Sequence, residues 1–314
     1  MLNPQAKALL DLISSLGFEP MNELPVEEAR KNYRDRRHGT QPEAPPIGAV
    51  VDHQVPVAGG TITVREYRPG GAAQASARLP ALVYFHGGGW TIGDLDTHDT
   101  LCRSLCAGAE CAIYAVDYRM GPEFKFPTAV EDAQAAFQWV LTESDRLRVD
   151  PTRVAVGGDS AGGNLAAVVS LQTRDQGSPA PVYQLLIYPA VDQRAGHDSH
   201  ERNGEGYLLT QILMRWFREQ YHAHPDEYLD WRASPLLAES FAGLPPALVL
   251  TAEYDPLVDE GQAYAAAMDS AGVPVEAVMF PGQVHGFITM GKVLDDANTA
   301  VKLCAARLKT VFNG

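Results

Sequence analysis

The sequence predicts an α/β protein with a mostly parallel central sheet, and three observations carry that reading. From residue 81 onward, apolar runs of strand length alternate with amphipathic stretches of helix length. Runs such as 81–85 and 247–251 are apolar almost throughout, as strands are when both faces of their sheet are covered. Hydrophobic residues make up 46% and charged residues 20% of a 314-residue chain, enough to pack one large core.

Taken in order, residues 1–46 read as an appendage. Leu9, Leu10, Leu12, Ile13 and Leu16 recur at helical spacing, and a densely charged helix follows over Val26 to Arg37. The proline-rich piece from Gln41 to Pro46 then breaks the chain. From Ile47 the pattern is β: strands over 50–57 and 61–67 flank Ala58-Gly59-Gly60, a hairpin turn in which glycine supplies positive φ. A loop of small residues covers 70–78. Strands are expected over 81–85, 112–117, 153–156, 183–188, 247–251 and 275–280. Helices are expected near 97–109, 127–146, 161–174, 259–271 and 295–312. The stretch 194–231 interrupts the alternation, polar at first and then helical and aromatic from Ile212 to Tyr221. An insertion at the strand ends where α/β sheets bind ligands can form a lid together with the N-terminal helices. The expected organisation is therefore N-terminal cap helices over 1–46, a core over 47–193 and 232–314, and an inserted cap segment over 194–231.

Composition excludes several functions. A net charge of −14 repels a phosphate backbone, so no nucleic-acid partner is expected, and a strongly anionic substrate is disfavoured. Cys102, Cys106, Cys111 and Cys304 lack metal-ligand spacing and read as reduced core residues. Lys7 and Asp11 interrupt what would be the apolar run of a secretion signal, and no stretch reaches about 18 apolar residues. A cytoplasmic protein without a membrane span is expected, and assembly as a homodimer is compatible with the sequence.

The chemistry is concentrated in four places. Gly158-Asp159-Ser160-Ala161-Gly162 follows an apolar strand and precedes a helix-like stretch, the context a nucleophile elbow requires. In such a turn the serine is held in a strained conformation, and glycines flank it because the two backbones approach too closely for a β-carbon. The reading that follows is an α/β-hydrolase fold with Ser160 as nucleophile. His86-Gly87-Gly88-Gly89-Trp90 directly follows the strand at 81–85, and consecutive glycines leave backbone N–H groups open toward a developing oxyanion. Ala161, the residue after the nucleophile, supplies a further N–H. His86 comes too early for the Ser…Asp…His order of this fold and reads as a loop organiser.

A serine hydroxyl needs a base, and the base needs an orienting carboxylate. Asp255 lies nearest the end of the strand at 247–251 and is the expected acid; Asp259 and Glu260 start the next helix, where carboxylates suit the dipole. His285 is the only histidine after the acid and is therefore the expected base. Trp90, Tyr188 and Asp159 are candidates for the substrate pocket, while Trp216, Phe217 and Tyr221 read as cap core. His197, His200, His222 and His224 in the insertion lack the spacing of a metal site, so neither metal nor cofactor is expected.

Together, His86-Gly-Gly-Gly, Gly158-Asp-Ser160-Ala-Gly and Asp255-Pro-Leu, with Asp117-Tyr-Arg119, Pro122-Glu123 and Tyr188-Pro189, resemble the bacterial hormone-sensitive-lipase family of carboxylesterases. The resemblance spans nearly the whole chain. It implies a helical cap formed by the N-terminal segment and an insertion, and cofactor-free hydrolysis of short- to medium-chain acyl esters. It also implies that Gly88 and Gly89 join Ala161 in the oxyanion hole, with Gly87 mainly conformational. Met120-Gly121 and Val258 depart from the family pattern away from the triad. Amide or lactone hydrolysis uses the same machinery. A dehalogenase or epoxide hydrolase is disfavoured by serine at the elbow. A non-catalytic receptor resembling the plant gibberellin receptors is disfavoured by the presence of His285.

Overall fold

The computed structural model describes residues 1–71 and 78–314. Eight strands form one sheet: β1 (Ala49–Val57), β2 (Gly60–Arg68), β3 (Leu79–Phe85), β4 (Ala112–Asp117), β5 (Val149–Asp159), β6 (Gln184–Ile187), β7 (Ala247–Tyr254) and β8 (Val275–Val284). Their order is β1-β2-β4-β3-β5-β6-β7-β8. The hairpin β1–β2 and the β2–β4 pair are antiparallel, and every pair from β4 to β8 is parallel. The small-residue loop expected over 70–78 lies, for 72–77, outside the described residues.

Side-chain alternation along each strand divides the core between two faces. Ala81, Val83 and Phe85 of β3, Tyr114 and Val116 of β4 and Val249 of β7 point into one apolar cluster. Leu82, Tyr84, Ile113, Ala115, Leu248 and Leu250 point into the other. The first face is covered by α4 (Thr128–Thr142), α6 (Ala161–Asp175) and α9 (Val258–Ser270), the second by α3 (Asp99–Ala109) and α10 (Asp295–Asn313). The single helix expected over 127–146 ends at Thr142, and a separate turn, α5 (Ser144–Leu147), follows it. The strand expected over 153–156 extends to Val149–Asp159, which carries it to the residue before Ser160. No helix among the described residues is long and apolar enough to cross a membrane.

The two N-terminal helices dock in different places. In α1 (Pro4–Ser15), Asn3 caps the first turn by accepting from the Gln5 N–H at 2.8 Å, and proline occupies the first helical position. Ala6 and Leu9 enter the second core cluster, and the Asn3 N–H donates to the Gly282 carbonyl at 3.0 Å. Asn3 and Gln5 also bond Asp296 and Asp295 at the start of α10. By contrast, α2 (Val26–Arg37) straps across the segment after the glycine loop. Arg30 donates to the carbonyls of Thr91 and Gly121 at 2.8 Å each and to Glu123, and Arg34 pairs with Asp94.

The insertion contains α7 (Asp198–Arg202) and α8 (Gln211–Tyr221), the latter capped by the Thr210 hydroxyl. Helix α8 lies on the glycine loop. Its Tyr221 ring stacks on Trp90, with centroids 4.5 Å apart and planes within 5°, a contact worth about 0.5–1.5 kcal/mol beyond area burial.

Candidate active site

Loops at the C-terminal ends of four strands, β3, β5, β7 and β8, build the site. At the end of β5, Ser160 adopts φ 56° and ψ −117°, a conformation that L-residues rarely hold. Its N–H donates to the Ile187 carbonyl at 2.9 Å, and its carbonyl accepts from Ala190 and Asn164 at the start of the next segments. A β-carbon on Gly162 would fall inside the Phe85 carbonyl, and one on Gly158 would meet Gly162, so both flanking positions admit only glycine.

His285 follows β8 and Asp255 follows β7. The His285 Nε2 atom lies 2.9 Å from Ser160 Oγ, and Nδ1 lies 2.7 Å from Asp255 Oδ2. A carboxylate only accepts, so Nδ1 donates to it, and Nε2 is left to accept from the serine hydroxyl. Asp255 is fully buried, and its second oxygen accepts the Leu257 N–H at 2.8 Å. From the 194–231 segment, Asn203 Nδ2 donates to the backbone carbonyls of Glu253 and Asp255, holding the Asp255 loop to that segment. Ser160 and His285 remain partly accessible. The structure thus brings together the three residues that chain order singled out.

The glycine loop faces them from the end of β3. The Gly87 N–H donates to Asp159 Oδ1 at 3.0 Å, and the hydroxyl of Tyr84 donates to the same oxygen at 2.7 Å. Gly88 (φ 125°) and Gly89 (φ 59°) sit in conformations that favour glycine. Among the described residues no acceptor is recorded for the N–H groups of Gly88 and Gly89. The Ala161 N–H belongs to the first turn of α6, where no intrahelical acceptor exists. A β-carbon on Gly89 would run into the Phe217 ring of α8, so this helix packs directly over the loop.

Asp159 corrects an expectation. Placed by sequence in the substrate pocket, it is buried beneath the glycine loop, with Oδ1 taken by Tyr84 and Gly87 and its carboxylate 3.2 Å from His98 Nε2. Burial would raise its pKa, but His98 and Tyr84 hold it well below the usual carboxylate range. It is the last residue of β5, so strand alternation turns its side chain to the α3 side while the elbow turns Ser160 outward. Trp90 and Tyr188, the other pocket candidates, are also buried. Trp90 is stacked under Tyr221, and the Tyr188 ring supports His285 at 4.7 Å between centroids. His86 stacks on Tyr118 and places Nδ1 2.8 Å from the Gly87 carbonyl. Burial, then the neighbouring His98, push its pKa down to about 4, which keeps it neutral.

Several supporting residues were not visible in the sequence: His98, Asn203 and a buried pair, His200 and Glu260, at 2.7 Å. Glu260 also accepts the N–H groups of Val191 and Asp192, tying the base of the insertion to α9. Burial raises the Glu260 pKa; burial opposes but the Glu260 carboxylate overcomes it to raise that of His200. The only signal in the sequence was a second carboxylate beside Asp259. His197, His200 and His222 bond three different carboxylates, and no group of three potential metal ligands occurs among the described residues.

Comparison with known proteins shows what the chain as a whole is similar to. A family model described as an α/β-hydrolase fold matches residues 82–289. Ethyl acetate hydrolase of Pseudomonas putida is 38% identical over 314 residues, covering 98% of both chains. The carboxylic ester hydrolase LipN of Mycobacterium tuberculosis is 48% identical over 247 residues, 77% of this chain and 65% of LipN. An ester hydrolase from the metagenome of Lake Arreo, solved with a bipyridine phosphonate derivative, superimposes with a TM-score of 0.96 at 39% identity, covering 100% of each chain. The hyperthermophilic esterase of Pyrobaculum calidifontis gives 0.93 at 40% identity over 98% of each chain.

Proposed function

The chain belongs to the α/β-hydrolase family and is a carboxylic ester hydrolase, and from this we propose that Ser160, His285 and Asp255 carry its reaction through an acyl-enzyme. The observation that supports it best is the continuous path from Ser160 Oγ through the His285 ring to buried Asp255, at 2.9 and 2.7 Å. Ser160 Oγ attacks the ester carbonyl while His285 Nε2 takes its proton. The carbonyl electron pair moves onto oxygen, where the N–H groups of Gly88, Gly89 and Ala161 receive it. As the tetrahedral species collapses, the C–O bond to the alcohol breaks and His285 returns the proton to the departing oxygen. Water then repeats the sequence on the acyl-enzyme, releasing the acid and restoring Ser160.

The Lake Arreo relative was solved with a phosphonate. A phosphonate ester should accordingly label this protein once, on Ser160, in intact-mass and peptide-mapping measurements. A label on another residue, or none with loss-free activity, would remove Ser160 from the reaction.

We include short- to medium-chain acyl esters as substrates in the proposal. Phe217 packed over Gly89, and the Trp90–Tyr221 stack beside it, support a confined site. The cap in this reading is α2 with residues 194–231, and α1 anchors the loop before His285. Truncation through residue 46 should expose apolar core and shift acyl-chain preference more than it changes the chemical step. An unchanged chain-length profile in a folded truncation would show that α2 is no lid. The reaction needs no metal in this scheme, so dialysis against EDTA should leave turnover intact; loss restored by a divalent ion would reopen the question. Pairing of two copies belongs to the same proposal. Strand β8 is a sheet edge with Met279 exposed, and a monomer mass at sedimentation equilibrium would exclude it.

A further inference from the structure

The 194–231 segment meets residues 253–256, Asp255 among them, one after another. Asn203 Nδ2 donates to the carbonyls of Glu253 and Asp255 at 3.1 and 3.0 Å. The Tyr207 ring lies 5.1 Å from that of Tyr254, and the Ser199 hydroxyl donates to the Pro256 carbonyl. Asn203 is buried, and an amide whose NH₂ group is shared between two carbonyls fixes the spacing of both. It is itself held in place, because it ends α7, whose Ser199 N–H and Arg202 bond Asp259 while His200 bonds Glu260. Where a chain leaves its strand ladder, donors from other elements decide how its carbonyls lie.

Glu253 extends this contact to the other loop. Between the paired residues Ala252–Phe280 and Tyr254–Val284, β7 carries one residue and β8 carries three. The register therefore skips Gly282, and Glu253 Oε2 accepts its N–H at 2.7 Å in place of a ladder carbonyl. A carboxylate accepting a backbone N–H makes one of the stronger hydrogen bonds available there. Gly282 has φ 72°, and its carbonyl accepts the Asn3 N–H at 3.0 Å, so the turn shortly before His285 is held on both sides.

One residue thus joins two loops. The main chain of Glu253 is held by Asn203, and its side chain holds the turn that leads to His285. The bond that depends on both loops is His285 Nδ1 to Asp255 Oδ2, at 2.7 Å. A displacement of about 1 Å in such a pair can cost a hundredfold in rate, even when its cause lies away from the reacting atoms. The same segment places Phe217 against Gly89, so it touches the site from the glycine-loop side as well.

We propose that Asn203 and Glu253 are positioning residues that set the Asp255–His285 pair and tie its geometry to the 194–231 segment. This rests on the reading of Ser160, His285 and Asp255 as the hydrolytic residues.

Hydrolysis of ethyl butyrate, followed by pH-stat titration, tests it. Sites are counted by saturating labelling with a phosphonate ester and intact-mass measurement, and rates are expressed per molecule labelled on Ser160, which leaves unfolded protein out. Asn203→Asp keeps the size of the side chain but replaces the donor with an acceptor. It should lower kcat about tenfold to a hundredfold, with KM within about twofold of wild type. Glu253→Ala should lower kcat about fivefold or more, again with little change in KM. Glu253→Gln keeps an oxygen that can accept from Gly282 and should recover most of that loss. Glu253 is only partly buried, so its two variants decide the matter if Asn203→Asp fails to fold. An unchanged kcat per labelled site in Glu253→Ala overturns the proposal and leaves these bonds a structural role alone. A rise in KM at constant kcat overturns it too, by assigning the residues to substrate binding. So does a Glu253→Gln variant as slow as Glu253→Ala. A wild-type protein that takes no label on Ser160 would instead overturn the reading of the hydrolytic residues.

Discussion

Replacing Ser160 with alanine is expected to lower ester turnover by about four to six orders of magnitude while the protein stays folded. The magnitude follows from what is lost. Without Oγ there is no covalent path, and what remains is water attack assisted by the oxyanion donors, which retain a modest rate over the uncatalysed reaction. Folding should survive because the recorded bond of this hydroxyl is the one to His285, worth about 1 kcal/mol. Alanine inherits the same positive φ and adds no bulk to the elbow. Initial rates on a neutral ester, with circular dichroism on the same preparation, check both halves. Residual activity within a hundredfold of wild type would end the assignment.

Asp255→Asn should cost about three to four orders of magnitude in turnover with substrate binding nearly unchanged. The carboxylate now accepts from Leu257 N–H on Oδ1 and from the imidazole on Oδ2. An asparagine that keeps the Leu257 bond with its carbonyl must turn its NH₂ toward His285. Nδ1 would then have to accept, the ring proton would move to Nε2, and the atom facing Ser160 Oγ could no longer take a proton. Asp259→Asn is the control. Asp259 bonds Ser199 and Arg202 on α7 and touches neither His285 nor Ser160, so the change should affect stability by about 1 kcal/mol or less and turnover little. Kinetics on the two variants side by side decide the matter, and the reverse pattern would mean that the wrong carboxylate was chosen.

The contrast between Asp255, Asp259 and Glu260 shows where reading the sequence stops. Their spacing after β7 distinguishes a loop position from a helix start, and of the three it is Asp255 that bonds His285. The spacing did not distinguish Asp259, on the surface edge of α9, from Glu260, which is fully buried on His200 and two backbone N–H groups. Asp159 departs from the sequence expectation for a related reason. Its place beside Ser160 in the chain suggested a place beside the substrate, but adjacent residues at a strand end point to opposite faces.

The sequence by itself determined the alternation of strands and helices, the elbow around Ser160, the glycine loop and the order in which Asp255 and His285 follow. Each rests on local physics: hydrophobic period, glycine where two backbones touch, and strand ends that place loops on one edge. Tertiary structure alone decided which polar groups meet: Asp159 under Gly87, Asn203 on the Asp255 loop, Phe217 over Gly89 and α2 apart from α1. It also decided that Arg37 is buried, with Nε and Nη2 unpartnered among the described residues. Such partnerships join residues tens to hundreds of positions apart. A polar side chain has no periodic signature that reveals its partner, so burial against a distant element selects it, and only the folded chain brings that element near.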